Sequence, residues 1–174
     1  MIRSQNEIAA IIQKAARGAG APPGQAEDLA RTALYLVQTG AGLESVAAAL
    51  CDPFDPVDVQ WDHDCIKVRS GPAIMIAPVV RDAFLGGVDS ARLDHTAHAP
   101  LIRAALAEAG IMVAGNDTDL VRISGTPPAG KVVGPVDVPD TLWSVFADFA
   151  ARTFVPETDA SRIAGAGAGL SDND

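Results

Sequence analysis

The sequence places two apolar stretches, Ile111-Met112-Val113-Ala114 and Leu120-Val121-Arg122-Ile123, on either side of the polar segment Gly115-Asn116-Asp117-Thr118. Glycine, asparagine and aspartate favour turns, so this pattern predicts a hairpin of two antiparallel strands. A helix is predicted just before it, from about His98 to Ala109. Elsewhere, too, the predicted strands come in small groups separated by helices rather than in strict alternation with them. The predicted fold class is α+β, with a small, largely antiparallel or mixed sheet.

The first 51 residues predict a layer of three helices packed on that sheet. Ser4 and Glu7 have the spacing of a capping box, in which each side chain satisfies a free backbone N–H at the start of a helix. Gly18 and Gly20 are expected to end this first helix. Its inner face carries apolar residues at helical spacing, namely Ile8, Ile11, Ile12 and Ala15.

Residues 52–154 predict an α+β body that forms a single domain with the helical layer. Strands are expected over 57–61 and 65–69. The segment 73–77 predicts a buried strand because it is short and continuously apolar. Pro78 is then expected in the first turn of the following helix, where its missing N–H costs nothing.

Composition limits the possible partners. The chain has 13 basic and 22 acidic residues, which gives a formal net charge of −9. Affinity for nucleic acid depends largely on lysine and arginine, so we expect no binding to DNA or RNA. No apolar run reaches the ~18 residues of a membrane-spanning helix, and no secretion signal is recognised, so we expect a cytoplasmic protein. The small side chains of an alanine-rich interior each bury little area, so such a protein gains from burying a further face, and a homodimer is compatible with the sequence.

The C-terminal segment 155–174 is the most unusual part of the sequence, and we expect it to be an ordered tail. Alternating glycines let a ligand or another chain approach the backbone closely. Arginine supplies a bidentate donor for a carboxylate or phosphate, and carboxylates are ligands for Mg²⁺ or Ca²⁺. The predicted ligand-binding residues are Arg162, Gly165, Gly167, Gly169, Asp172, Asn173 and Asp174, with Asp172 and Asp174 as candidate metal ligands.

Three features together resemble a bacterial family recorded only as a domain of unknown function. They are the segment Lys14-Ala15-Ala16-Arg17-Gly18-Ala19-Gly20, the pair Ser161-Arg162 and the ending Gly165-Ala166-Gly167-Ala168-Gly169-Leu170-Ser171-Asp172-Asn173-Asp174. The resemblance implies one domain that covers the whole chain. It implies no activity, cofactor or catalytic residue.

The three histidines are the candidate catalytic residues, because imidazole titrates near neutral pH. His95 and His98 precede the predicted helix at 98–109, where capping by Asp94 or Thr96 is the alternative to catalysis. His63 lies in Asp62-His63-Asp64-Cys65, which offers metal-ligand side chains. If that stretch is extended, they alternate between two faces, so a metal would need further ligands. A solvated turn is the alternative.

Two hypotheses about function remain open. In the first, the protein is a small-molecule-binding protein or enzyme, and the tail forms its pocket. In the second, it is a non-catalytic accessory or oligomeric protein whose tail docks on a partner or a second copy. No cofactor is identified by any motif.

Overall fold

A computed structural model describes residues 1–94, 96–132 and 134–154 of the chain. Within these residues there are six helices: α1 (Gln5–Ala19), α2 (Pro23–Gln38), α3 (Glu44–Ala49), α4 (Ala73–Leu85), α5 (Ala99–Glu108) and α6 (Asp140–Ala151). They also contain seven strands: β1 (Ile2–Arg3), β2 (Asp58–Asp62), β3 (Cys65–Ser70), β4 (Ser90–Leu93), β5 (Met112–Gly115), β6 (Asp119–Ile123) and β7 (Val136–Asp137). The fold is α+β, as predicted.

The main sheet has five strands in the order β2-β3-β4-β6-β5. β3 and β4 are parallel, with Ile66 opposite Ala91 and Val68 opposite Leu93, and the other neighbouring pairs are antiparallel. The parallel pair needs a crossover connection, which α4 supplies. β1 and β7 form a separate antiparallel pair. The sheet is therefore mixed, and its centre is a β3-α4-β4 unit.

The sheet is covered by helices on one face. Ile66, Val68 and Leu93 point to that face and are at most 1% exposed. The opposite, outer face carries Arg92 and Val121, which are exposed. α4 and α5 pack on each other and α5 packs on α2, while α1 packs between α2 and α6. The predicted helical layer thus corresponds to α1, α2 and α3.

The predicted capping box at the start of α1 is confirmed. The Glu7 backbone N–H donates to the Ser4 hydroxyl oxygen at 3.2 Å, and the Ser4 backbone N–H donates to the Glu7 carboxylate at 2.8 Å. The hydrogen bond from the Ser4 backbone lowers the pKa of the Glu7 carboxyl. The position of the helix end was predicted only in part. Gly20 is the left-handed C-cap, whereas Gly18 lies inside the helix.

The predicted buried strand at 73–77 is wrong, because these residues form the first turns of α4. A short apolar run fits a buried strand and a buried helix equally well, and only the surrounding fold decides between them. Pro72, with φ −74° and ψ 145°, is the N-cap of α4. Pro78 therefore lies inside the helix rather than at its start, and its ring nitrogen cannot donate to the carbonyl of Ile74.

β4, the central strand of the sheet, was not predicted from the sequence. Its four residues, Ser90-Ala91-Arg92-Leu93, are too few for a distinctive alternation. β4 is held by β3 on one side and β6 on the other, and both partners are distant in the sequence. Its existence depends on that pairing rather than on local preference.

The contact between α1 and α6 provides a test of the packing. A methyl group added at Gly18 would fall on the carbonyl oxygen of Phe149 in α6, whereas one added at Gly24 in α2 would have nothing within 4 Å. We expect Gly18→Ala to lower the free energy of unfolding by about 1–3 kcal/mol. The matched control Gly24→Ala should raise it by about 0.4–1 kcal/mol, because the unfolded chain loses entropy. Urea denaturation of both variants measures the difference, and equal effects would contradict the close contact.

Candidate functional site

The carboxyl ends of the parallel strands β3 and β4 lie at the same edge of the sheet. β3 leads directly into α4, and β4 leads through a short loop into α5. The backbone N–H of Asp94 donates to the carbonyl of Val68 at 2.8 Å and ties the two strand ends together. In open sheets with parallel strands, ligands bind outside the carboxyl ends of those strands. The topology therefore identifies this edge as the candidate site.

A shallow cleft opens at this edge, and its empty volume is about 560 Å³ when the open space at its mouth is included. It lies between the link that follows α3 and the start of α4. Its lining includes two carboxylates and one hydroxyl, and consists of Asp52, Pro53, Asp55, Ser70, Gly71, Pro72 and Ala97.

Gly71 forms the turn between β3 and α4 at the wall of the cleft. Its φ is +141°, and an added β-carbon would lie 3.3 Å from the α-carbon of Val57. Glycine adopts this backbone conformation readily, whereas side chains with a β-carbon rarely do. The absence of a side chain thus lets the link before β2 pack against the start of α4.

His98 and Asp52 face each other beside the cleft. The Nε2 atom of His98 lies 3.4 Å from an Oδ2 atom of Asp52, and the two side chains are 23% and 30% exposed. They come from different parts of the fold, since Asp52 follows α3 and His98 immediately precedes α5. An imidazole oriented by a carboxylate is the arrangement that general bases use.

The backbone of His98 is in the left-handed region, with φ 60° and ψ 37°. Among the described residues it is the one non-glycine residue with a positive φ. This conformation costs a residue with a β-carbon about 1–2 kcal/mol, and such residues are concentrated at functional sites. The alternative predicted from the sequence was that Asp94 or Thr96 caps this helix. His98 is the N-cap of α5, and its side chain makes no capping hydrogen bond.

Two helices begin next to the cleft without a side-chain cap. Neither Pro72 before α4 nor His98 before α5 makes such a hydrogen bond in the described structure. The first N–H groups of a helix have no acceptor within the helix. These amides favour a partial negative charge on a ligand. The partial positive charge of these amides partly offsets the repulsion between a negatively charged ligand and the carboxylates of Asp52 and Asp55.

A second groove lies further along the same edge, between the end of β4 and the start of β6. Arg92 Nε donates to an Asp119 carboxylate oxygen at 3.1 Å. This hydrogen bond, together with one from the Thr118 hydroxyl, lowers the pKa of the Asp119 carboxyl. The arginine is therefore already paired, and the groove has no free cation among its described lining residues.

The structure separates the predicted catalytic residues. His98 lies at the candidate site. His63 is exposed in the turn between β2 and β3, at the opposite end of β3, and β3 spans roughly 17 Å at ~3.3 Å per residue. No group of three or more metal-ligand side chains exists in the parts of the chain described here, so Asp62-His63-Asp64-Cys65 is not completed into a metal site.

The remaining predicted site residues lie outside the described residues. These are His95, Arg162, Gly165, Gly167, Gly169, Asp172, Asn173 and Asp174. Asp52, in contrast, lies at the site and was missed. In the sequence it is the first residue after the predicted helical layer, and only the tertiary fold brings it to His98. The one local feature that could have indicated a site residue here is the position of this carboxylate, which follows a helix and precedes Pro53.

Comparison with known proteins agrees with the resemblance found in the sequence. Residues 3–83 match the model of a family described as a protein of unknown function (DUF3726). The matched region ends within α4, so it includes Asp52 and Gly71 but not His98 or the C-terminal motif. No curated protein matches the chain. Among the described residues, no helix has the length and apolar character required to cross a membrane.

The strain at His98 gives a testable prediction. His98→Gly removes the cost of the left-handed conformation, about 1–2 kcal/mol. His63→Gly is the matched control, because His63 is exposed and its φ is not positive. Both changes carry a similar entropy cost of about 0.4–1 kcal/mol. We expect the free energy of unfolding of His98→Gly to exceed that of His63→Gly by about 1 kcal/mol in urea denaturation. Equal values would show that His98 is not strained.

Proposed function

We propose that the chain is a small-molecule-binding enzyme in which His98 transfers a proton to or from a substrate in the cleft at the carboxyl ends of β3 and β4. The observation that supports this best is the strained His98, with Nε2 3.4 Å from the carboxylate of Asp52. Packing of the core alone requires neither the left-handed backbone of His98 nor the position of its imidazole beside a carboxylate. Two free cysteines agree with a reducing compartment such as the cytoplasm.

The proposed roles follow from the geometry. In this proposal the Asp52 carboxylate, with Oδ2 3.4 Å from Nε2 of His98, favours the tautomer that carries its proton on Nε2, which leaves Nδ1 as the proton acceptor. The N-terminal ends of α4 and α5 carry a partial positive charge, which favours negative charge on the substrate. The carboxylates of Asp52 and Asp55 disfavour a highly charged anion. The substrate class is therefore a small molecule without a high negative charge.

The role of the C-terminal segment remains a separate proposal. Arg162 would orient an anionic group of the ligand, and the glycines from Gly165 to Gly169 would let it approach the backbone. A chain without residues 165–174 tests this role in a ligand screen.

A thermal-shift screen of metabolites on the intact protein tests the proposed site. A ligand at a hundred times its Kd adds about 2.7 kcal/mol to the stability, which raises Tm by about 5–10 °C. We expect such a ligand to lose most of this effect with His98→Gln and with Asp52→Asn. The matched control His63→Gln should behave as the unchanged chain.

Two results would decide against parts of this proposal. Hits that stabilise His98→Gln and Asp52→Asn as strongly as the unchanged protein would place the site elsewhere. Hits that stabilise the chain lacking 165–174 equally well would remove the tail from the pocket. If no neutral or anionic metabolite stabilises the intact protein, the small-molecule function is wrong.

The outer face of the sheet supports a second candidate function, self-association as a homodimer. Val121 is 46% and Ile123 40% exposed, and Met112 lies opposite Ile123 on the same face. β2 and β5 are the two edge strands of this five-stranded sheet. Adjacent exposed apolar side chains are typical of interfaces between proteins.

Sedimentation equilibrium measures this association. We expect a concentration-dependent dimer that Val121→Lys weakens at least tenfold, because a charge would have to lose its hydration in the interface. Leu85→Lys is the control, since Leu85 is 66% exposed at the end of α4, away from the sheet face. A monomer at every concentration, or equal effects of the two substitutions, would contradict the dimer.

A further inference from the structure

Ser70 lies at the turn that joins the central pair of strands to a helix. It is the last residue of β3, and only Gly71 and Pro72 separate it from the first residue of α4. Ser70 is exposed and lines the cleft at which His98 is proposed to act. Its hydroxyl is the one hydroxyl among the described residues that line this cleft, and the proposed proton transfer by itself gives it no role.

The register of the parallel strands brings Ser70 and His98 to the same end of the sheet. Val68 pairs with Leu93, and the backbone N–H of Asp94 donates to the carbonyl of Val68 at 2.8 Å. Ser70 follows Val68 by two residues, and the connection that ends at His98 leaves β4 at the same level. The residue just before His98 lines the same cleft as Ser70. The fold therefore holds the hydroxyl and the imidazole at one cleft.

The turn after Ser70 is of the kind that exposes a nucleophile. In many hydrolases the nucleophilic serine lies on a sharp turn between a strand and a helix, which presents its hydroxyl above the sheet. Here Gly71, with φ +141°, makes the turn, and Pro72 is the N-cap of α4. Ser70 is therefore not the cap of this helix. The sequence lacks the pentapeptide Gly-x-Ser-x-Gly, so the similarity lies in the strand-turn-helix arrangement.

A second hydroxyl, that of Thr96, also lies close to His98 in the sequence. Its Oγ1 donates to the backbone carbonyl of Asp94 at 3.4 Å, so its proton is already shared with an acceptor. Thr96 is not among the residues that line the cleft, whereas Ser70 is. A nucleophile must face the space that the substrate occupies, and this requirement favours Ser70 over Thr96.

Charged groups at the cleft favour both charges that attack by a serine hydroxyl produces. Oδ2 of Asp52 lies 3.4 Å from Nε2 of His98, so the carboxylate stabilises the imidazolium that forms when Nδ1 accepts a proton. The N-terminal end of α4 begins three residues after Ser70 and carries a partial positive charge. That charge favours the negative charge that develops on a carbonyl oxygen under attack. The surroundings thus suit transfer of an acyl group to Ser70.

We infer that Ser70 is a catalytic nucleophile and that the substrate is a small carboxylic ester. This inference rests on the proposed proton transfer by His98 and makes the reaction a hydrolysis. Ser70 Oγ attacks the carbonyl carbon while its proton passes to Nδ1 of His98. The bond between that carbon and the ester oxygen breaks, and His98 gives the proton to the leaving alcohol.

Water completes the reaction. It attacks the acyl group on Ser70 and gives one proton to Nδ1 of His98. The bond between the acyl carbon and Ser70 Oγ then breaks, and His98 returns the proton to Oγ. The carboxylic acid leaves, and both side chains regain their starting state, so water is the only co-reactant.

An alkyl fluorophosphonate tests the nucleophile on the unchanged full chain. Attack by the Ser70 hydroxyl forms a P–O bond and releases fluoride, which leaves the phosphonyl group on the protein. We expect intact mass spectrometry to show a single added group and peptide mapping to place it on Ser70. His98→Gln should slow the labelling about a hundredfold or more, because the general base is lost.

Ser124→Ala is the matched control for Ser70→Ala. Ser124 is also exposed, and it follows β6, which runs antiparallel to β4, so it lies at the opposite end of the sheet. Ser70→Ala should abolish the labelling and lower the rate of p-nitrophenyl acetate hydrolysis about a hundredfold or more. Ser124→Ala should change neither. Each substitution removes an exposed hydroxyl, so the urea midpoints of both variants should equal that of the unchanged protein.

Three results would overturn the inference. They are the absence of label on Ser70 in the unchanged chain, equal hydrolysis rates for Ser70→Ala and Ser124→Ala, and labelling of Ser70 that is equally fast in His98→Gln. Failure here is distinguishable from failure of the proposed proton-transfer site, which is tested by the thermal shifts with His98→Gln and Asp52→Asn. If those shifts depend on His98 and Asp52 while Ser70 stays unlabelled, the proton-transfer site stands and ester hydrolysis through Ser70 is wrong.

Discussion

The parallel pairing of β3 with β4 is the constraint on which the rest of the structure depends. Ile66 and Val68 on β3 and Ala91 and Leu93 on β4 are all at most 2% exposed, so the pair forms the buried centre of the sheet. Two parallel neighbours cannot be joined by a tight turn, and the chain must return along the sheet through α4. This return places the ends of both strands, and the starts of α4 and α5, at one edge. The candidate site is a consequence of that topology.

The features predicted correctly are those determined by nearby residues. The capping box of Ser4 and Glu7 and the hairpin around Gly115 each depend on residues within a few positions of one another. β4 and the first turns of α4 depend on partners that are distant in the sequence. β4 was not predicted, and the first turns of α4 were wrongly predicted as a strand. The run at 73–77 fits either structure by its apolarity, and it is a helix because β3 and β4 already fill the buried centre of the sheet. Gly18 was taken as a helix end, yet it is needed for the approach of α6.

The same distinction explains how much of the site the sequence could reveal. His98 was a candidate because histidine is suited to proton transfer, but its residue type is shared by His63, which lies in an exposed turn. What distinguishes His98 is the left-handed backbone and the carboxylate of Asp52, and neither is visible in the local sequence. Asp52 is far from His98 in the chain and becomes its neighbour only when the link after α3 packs against Gly71.

The energetics of α5 explain how a strained residue persists at its start. Leu101, Ile102 and Leu106 are at most 1% exposed, and burial of each such side chain contributes about 1.5–3 kcal/mol. Their sum exceeds the cost of the left-handed residue, about 1–2 kcal/mol. The core contacts therefore fix the position of α5, and pairing in the sheet fixes the end of β4. His98 lies in the short connection between these two fixed elements and makes the turn into α5. A residue held in this way is oriented before any ligand binds, and such preorganisation is what a proton-transfer group requires.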